Sequence, residues 1–383
     1  MFGKITHYSK GWMLAILLAC TAATAAAKQP LWHFAAQDSI WSSIVIDNDI
    51  AFFGSDDGYI YALDTKKQQL QWKFETTGKV RSNAAINSKY VYLSSDDGYL
   101  YALDKTTGKM AWQFDLQDGD VARILPKNAP PWAFDYAKSS PRLVDNHLYI
   151  GSADGHLYAI NATTGQQLWR YKTGGIIRST PAFHNGLIFV GSWDGHVYAL
   201  EQKSGALKWR FTTDATVTSN PVIIQDTLII GSRDTYIYAL DPTTGDKKWQ
   251  YRFIDGSWVE SSAIAAHQES AFYIGSSDSK KVLKFDLTSG QVLWSRHTSG
   301  WTWATPLLND GVVYIGSTGA SQYWTPVRPG FTAFSADKGE PLWNYQPSIG
   351  KHYVHGGVFG TPAVANDKLY VPDLDGKLYV YKI

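Results

Sequence analysis

Eight side chains hold most of the chemistry this sequence offers: Trp41, Arg81, Lys138, Arg178, Thr218, Glu260, Trp303 and Phe359. Cations and aromatic rings dominate the set, with a single carboxylate. Arginine grips carboxylates through two parallel hydrogen bonds, and indole faces stack on flat rings. Together these types read as a pocket for a flat or ring-shaped anionic ligand, an acidic saccharide included. His352, Tyr353 and His355 could move protons there. Trp132, Tyr136, Tyr323, Trp324, His352, Tyr353 and His355 could close over it, Tyr353 and His355 binding the ligand. The eight residues are scattered along nearly the whole chain, so only a repeating scaffold could collect them.

That scaffold is visible as a repeat. A Gly-Ser-x-Asp-Gly-like turn leads into an apolar-Tyr-Ala-Leu-Asp strand, a Thr-Gly turn and a Trp-x-aromatic ending. The clearest copy runs from Leu93 to Phe114. The closing tryptophans are Trp32, Trp72, Trp112, Trp169, Trp209, Trp249, Trp294 and Trp343, spaced 40, 40, 57, 40, 40, 45 and 49 residues apart. A period near 40–45 residues with about four short Val/Ile/Tyr/Phe runs per unit predicts four-stranded antiparallel propeller blades. In the second unit, strand A is expected near Ser82–Ile86, B at Tyr90–Ser94, C at Tyr99–Leu103 and D at Met110–Phe114. The last unit has A, B and C, ending at Lys377–Tyr381, but no D. Leu31–Phe34 is a D with no A, B or C before it. The expectation is an all-β, eight-bladed β-propeller over residues 28–383. Its ring closes where the N-terminal strand completes the last blade, which leaves no unpaired inner edge.

The Ala-x-Asp-x-x-Thr-Gly-x-x-x-Trp stretches, as in Ala102…Trp112 and Ala239…Trp249, resemble the tryptophan-docking motif of the PQQ-type eight-bladed propellers. That family includes quinone-dependent dehydrogenases and the outer-membrane assembly lipoprotein BamB. The first unit departs from the motif, with Lys67-Gln68 in place of Thr-Gly. The sixth has Lys284 for Ala, and the seventh reads Asp337-Lys338-Gly339. Those blades are expected to be looser. The repeated tryptophans read as packing between blades. Asp57, Asp97, Asp154, Asp194 and Asp234 read as turn residues that bind backbone.

Four strands per blade put every B–C and D–A loop on one face of the ring. The insertions fall at Asp115–Tyr136, Phe253–Trp258, Gln346–Val358 and Thr318–Gly330, all on that face. Loops on a rigid scaffold carry function more often than the scaffold does. Nine residues after five of the tryptophans lie Trp41, Arg81, Arg178, Thr218 and Trp303. Allowing for the insertions, Lys138, Glu260 and Phe359 take the same place. This column opens strand A at the channel mouth on the inserted face, which is why its members stand out from the small Ser/Thr/Asn/Pro residues after it.

Residues 1–27 read as a secretion signal, with Lys4 and Lys10 before a short apolar core and an Ala-rich end. Cleavage after Ala27 would release a soluble periplasmic or secreted domain. Leu17-Leu18-Ala19-Cys20 resembles a bacterial lipobox, the alternative, in which lipidated Cys20 anchors the protein to the outer membrane. Cys20 is the only cysteine, so the domain has no disulfide and no zinc-thiolate site. Net charge is +1 and charged residues are 18%, which argues against nucleic acid, a partner that needs a clustered basic face. No metal-ligand spacing is present.

Three functions follow. The first is a non-catalytic envelope scaffold that binds a ligand or a protein at the mouth. The second is a lyase acting on acidic sugars. The third, implied by the resemblance, is a dehydrogenase carrying pyrroloquinoline quinone and calcium. Calcium wants several oxygen ligands, and the column offers only Glu260. The expectation is therefore no cofactor.

Overall fold

Residues 26–119, 121–123, 135–266, 269–320, 326–350 and 353–383 are described by the computed structural model. Their regular structure is all strand. Consecutive strands form seven four-stranded antiparallel meanders, and an eighth joins the two ends of the chain. The outer strand Trp32–Ala35 pairs with Lys377–Lys382, matching Trp32 with Val380 and Ala35 with Lys377. The eight-bladed propeller and its closure are as the repeat predicts. No helix among the described residues is long and apolar enough to cross a membrane.

Burial explains the wording of the repeat. Strands B and C lie between neighbouring blades and are buried on both faces, as at Tyr99–Asp104. They therefore read as continuous apolar runs. The outer strand D alternates half-buried and exposed residues, as at Gln167–Lys172. A bulge in D just before each docking tryptophan, for example between Met110 and Trp112, aims the indole at the next blade.

Six tryptophans dock alike. Each indole nitrogen donates to a carbonyl of the following blade, as Trp72 does to Lys105 (3.0 Å), Trp169 to Gln202 (3.1 Å) and Trp249 to Leu287 (2.8 Å). Each ring lies on the turn glycine of that blade. A Cβ on Gly205 would stand 2.6 Å from Trp169, and its φ is +71°. Only glycine meets both demands.

The departures in the motif sort differently from expectation. Trp294 still docks on Gly339, and Lys284 is held by Glu269 at 2.6 Å over the Tyr273 ring. Blades 6 and 7 are therefore not loose. The first blade is the exception: Gln68 takes the positive φ of +56°, and the indole nitrogen of Trp32 finds no acceptor among the described residues.

Strand A in the second blade begins at Ala85 rather than Ser82. Ser82 instead bonds Ser94 on strand B through its side chain, donating to the carbonyl and accepting from the N–H. Residues 1–25, with Cys20 and most of the segment read as a secretion signal, lie outside the described residues, and Ala26–Ala27 run parallel to Trp343–Asn344.

Candidate functional site

The structure brings all eight residues of the column to one cavity at the channel mouth, together with Tyr136, Trp193 and Arg233. Strand A of each blade enters the mouth there, so one side chain per blade faces the axis. Two residues further along, a belt of small polar side chains links the blades. The N–H of Ser43 donates to Asn83 Oδ1 (2.7 Å), Asn83 to Ser140 Oγ (2.8 Å), Ser140 to Thr180 Oγ1 (3.1 Å), Thr180 to Asn220 Oδ1 (2.6 Å) and Asn220 to Ser262 Oγ (3.0 Å). Thr361 returns to Ser43 at 2.9 Å. This belt explains the repetitive Ser/Thr/Asn after the column.

The cations expected to await an anion already have one. Arg81 holds Asp56 through two bonds of 2.8 and 2.7 Å. Arg178 holds Asp135 through two of 2.8 Å. Lys138 pairs with Asp118 and lies 3.5 Å from Asp96. Arg123 grips Asp96 with two bonds of 2.7 Å. On the opposite arc Arg233 holds Glu260 at 2.7 Å. Each of these five cations is thus already paired with a carboxylate, and Lys79 adds a second cation to Asp56 at 2.9 Å.

Burial alone would raise the carboxyl of Asp96. The Arg123 hydrogen bonds and the charges of Arg123, Lys138 and Arg81 outweigh it and hold that carboxyl well below the usual range. At Glu260 burial wins over Arg233, and its pKa is raised.

The column's partners leave a signal in the sequence. The variable x of Gly-Ser-x-Asp-Gly faces the residue opening strand A of the next blade. Asp56 meets Arg81, Asp96 meets Lys138 and Arg233 meets Glu260. Ser277 Oγ accepts from the Trp303 indole at 2.9 Å. In the third blade x is Ala153, which has nothing to offer Arg178. The insertion after strand D of the second blade supplies the missing acids, Asp118 and Asp135. Asp118 also accepts from the Ala153 N–H at 3.1 Å.

The aromatic arc is filled as well. Tyr136, at the end of that insertion, stacks on Trp41 with centroids 4.8 Å apart and planes 3° apart. Its other neighbour is Trp303 at 6.1 Å and 24°, which stacks on Trp301 at 4.8 Å. Phe359 meets Trp41 edge-on at 5.0 Å, and the Arg81 guanidinium lies 4.8 Å over Trp41. The cavity inside the column is about 90 Å³, well under the roughly 300 Å³ at which small-molecule pockets begin, and a neighbouring one of about 210 Å³ is lined by Asp96, Asp118, Arg123, Lys138 and Arg178.

Tyr353 packs against this aromatic cluster. His355 lines a different groove, with Val327, Arg328 and Ile349. Trp132, Tyr323, Trp324 and His352 lie outside the described residues.

Three comparisons bear on kinship. The family model described as outer membrane protein assembly factor BamB matches residues 20–142, 132–258 and 256–383. The chain belongs to that family. No curated protein sequence matches it. The fold is shared with BamB from Moraxella catarrhalis, at 16% identity and TM-score 0.69 over 93% of this chain and all of that one. A quinohemoprotein alcohol dehydrogenase from Comamonas testosteroni aligns at 16% identity and TM-score 0.72, over 95% of this chain and 78% of its own. Saccharomyces cerevisiae Sqt1 aligns at 14% identity and TM-score 0.73, over 93% and 99%. At such identities the likeness speaks for the BamB-type fold alone.

With Asp135 and Tyr136 in place, a quinone with calcium does not fit these residues. The arginines that would take its carboxylates are engaged, and Tyr136 fills the space between the two tryptophans. No group of three or more His, Cys, Asp or Glu among the described residues could hold a metal ion.

Proposed function

We propose that the protein is a non-catalytic binding scaffold of the cell envelope, periplasmic or attached to the outer membrane, that docks a partner protein on its inserted face. The carrying observation is a contrast on that face. At the mouth the cations are paired and the aromatic rings packed on one another, while the loop tips beside it expose large apolar side chains: Ile254 at 96% and Ile349 at 73%. Isolated exposed aliphatics are ordinary, but these are the two most exposed large apolar residues of the described chain, and both sit on insertions. The family description, and the reading of residues 1–27 as a secretion signal, support an envelope location. The ring from Trp41 through Phe359 serves as a rigid floor beneath the loops.

A photo-crosslinking residue at 254 or 349 should capture a discrete envelope protein in cells. The same residue at Lys67 or Asp226, on the opposite face, should not. Capture confined to the opposite face, or none from either insertion, would overturn the proposal.

A further inference from the structure

The mouth was read from sequence as a site for a ring-bearing anion, and one occupant with that chemistry is present in the chain itself. Asp135 and Tyr136 are adjacent. Arg178 takes the Asp135 carboxylate in a two-bond grip of 2.8 Å each, with Arg178 2% and Asp135 1% exposed. Arg123 adds bonds to the Asp135 carbonyl at 2.9 Å and to its carboxylate at 3.4 Å. The Tyr136 ring lies flat on Trp41 and beside Trp303. Carboxylate and ring are thus read by separate halves of the mouth, the cationic arc and the aromatic arc.

The mouth also needs an occupant. Ala153 stands where the first two blades carry Asp56 and Asp96, so Arg178 has no acid from the repeat. Without Asp135 it would keep only Asp118, at 3.5 Å and shared with Lys138. A buried guanidinium half-paired in this way costs stability or recruits an anion. The aromatic slot would likewise stand open between two fixed indoles.

We propose that the mouth is a receptor for an acidic–aromatic peptide segment, a carboxylate side chain followed by a phenol ring, and that Asp135-Tyr136 is its built-in occupant. A segment tethered this closely acts as its own ligand at high effective concentration. An external peptide of the same chemistry binds when it displaces the segment. This concerns the mouth and not the loop tips, so its test is separate from the crosslinking above.

The test uses the purified full chain, the double variant Asp135→Ala/Tyr136→Ala, and N-acetyl-Asp-Tyr-amide as probe in titration calorimetry. The double variant should bind the probe about tenfold more tightly than wild type. It should also prefer it by about tenfold over N-acetyl-Ala-Tyr-amide, the worth of a charge-assisted pair. Adding Arg178→Ala should abolish that preference. A folded double variant that ignores the probe, binds both peptides equally, or is unaffected by Arg178→Ala overturns the proposal. So does wild type binding as tightly as the variant. If the double variant does not fold, Tyr136→Ala alone is titrated with p-cresol. A rise in Tm for the variant and not for wild type supports the slot, and no rise in the variant overturns it.

Discussion

Two concentric circles hold this ring together, and they are built on opposite principles. The outer circle is a row of equivalent docks in which one indole, one glycine and one carbonyl recur between blades. Each dock stands alone, so a flaw at Gln68 leaves its neighbours intact. The inner circle changes from blade to blade, through Trp, Arg, Lys, Arg, Thr, Glu, Trp and Phe. Asp96, Asp118 and Asp135 share Arg123, Lys138 and Arg178 among them, and Tyr136 joins blades 1, 3 and 7. The repeated circle supplies a frame by addition. The unrepeated one is mutually dependent, and such buried networks are costly to break at any one point.

Breaking the inner circle should have the largest effect. Arg178→Ala leaves the Asp135 carboxylate buried with only a long contact to Arg123, and a loss of about 3 kcal/mol is expected in urea unfolding. A loss under 1 kcal/mol would mean that the network relaxes and is no network.

The outer circle is tested by contrast. Trp169→Ala removes a docked indole and Trp32→Ala an undocked one. The first should cost about 1 kcal/mol more, the worth of a satisfied hydrogen bond. Equal losses would deny the dock its role.

A third variant touches a place where the repeat is broken by a charge. The other seven blades have serine where the last has Asp373, fully buried, accepting from the Asp375 N–H at 2.9 Å and the Tyr345 hydroxyl at 3.1 Å. Burial, and then the charge of Asp375, push its carboxyl well above the ordinary range. An unfolded Asp titrates near about 3.9. The folded state therefore holds the proton longer, and the group's contribution is full below that pH and is lost as pH rises. Asp373→Ser should stabilise the ring on the order of 1 kcal/mol, more at pH 8 than at pH 4. A gain that is the same at both pH values would exclude titration of Asp373 as its source.

The smallest expected effect is Gln68→Gly. It relieves the positive φ and clears a pad for Trp32, for a gain of about 0.5–1 kcal/mol in thermal unfolding. No gain would mean that the first blade is already at ease.

Legibility followed the period. Blade number, ring closure and the face that carries the insertions could be read because each rests on a spacing that recurs. The column from Trp41 to Phe359 came from the same counting, and the structure gathers it at one mouth. The charge state of that mouth could not be counted. Arg81 and Lys138 had partners in the x of the turn motif, at Asp56 and Asp96, which a comparison of the two variable columns would have exposed. Arg178 had none there, since x is Ala153, and its acid comes from an insertion outside the repeat. His355 was grouped with the mouth by loop membership, yet its loop directs it into another groove.

By itself the sequence determined the local grammar: which residues form strands, where each blade turns, and that first and last strands belong together. These follow from alternation, turn chemistry and period, all short-range properties. Tertiary structure decided which charges are already spoken for and which ring fills the mouth. Those outcomes depend on side chains from separate blades meeting across the channel axis. The repeat spacing encodes the pairs made by x of the turn motif, but not those made by Asp118, Asp135 and Tyr136, whose insertion meets other blades only once the ring has closed.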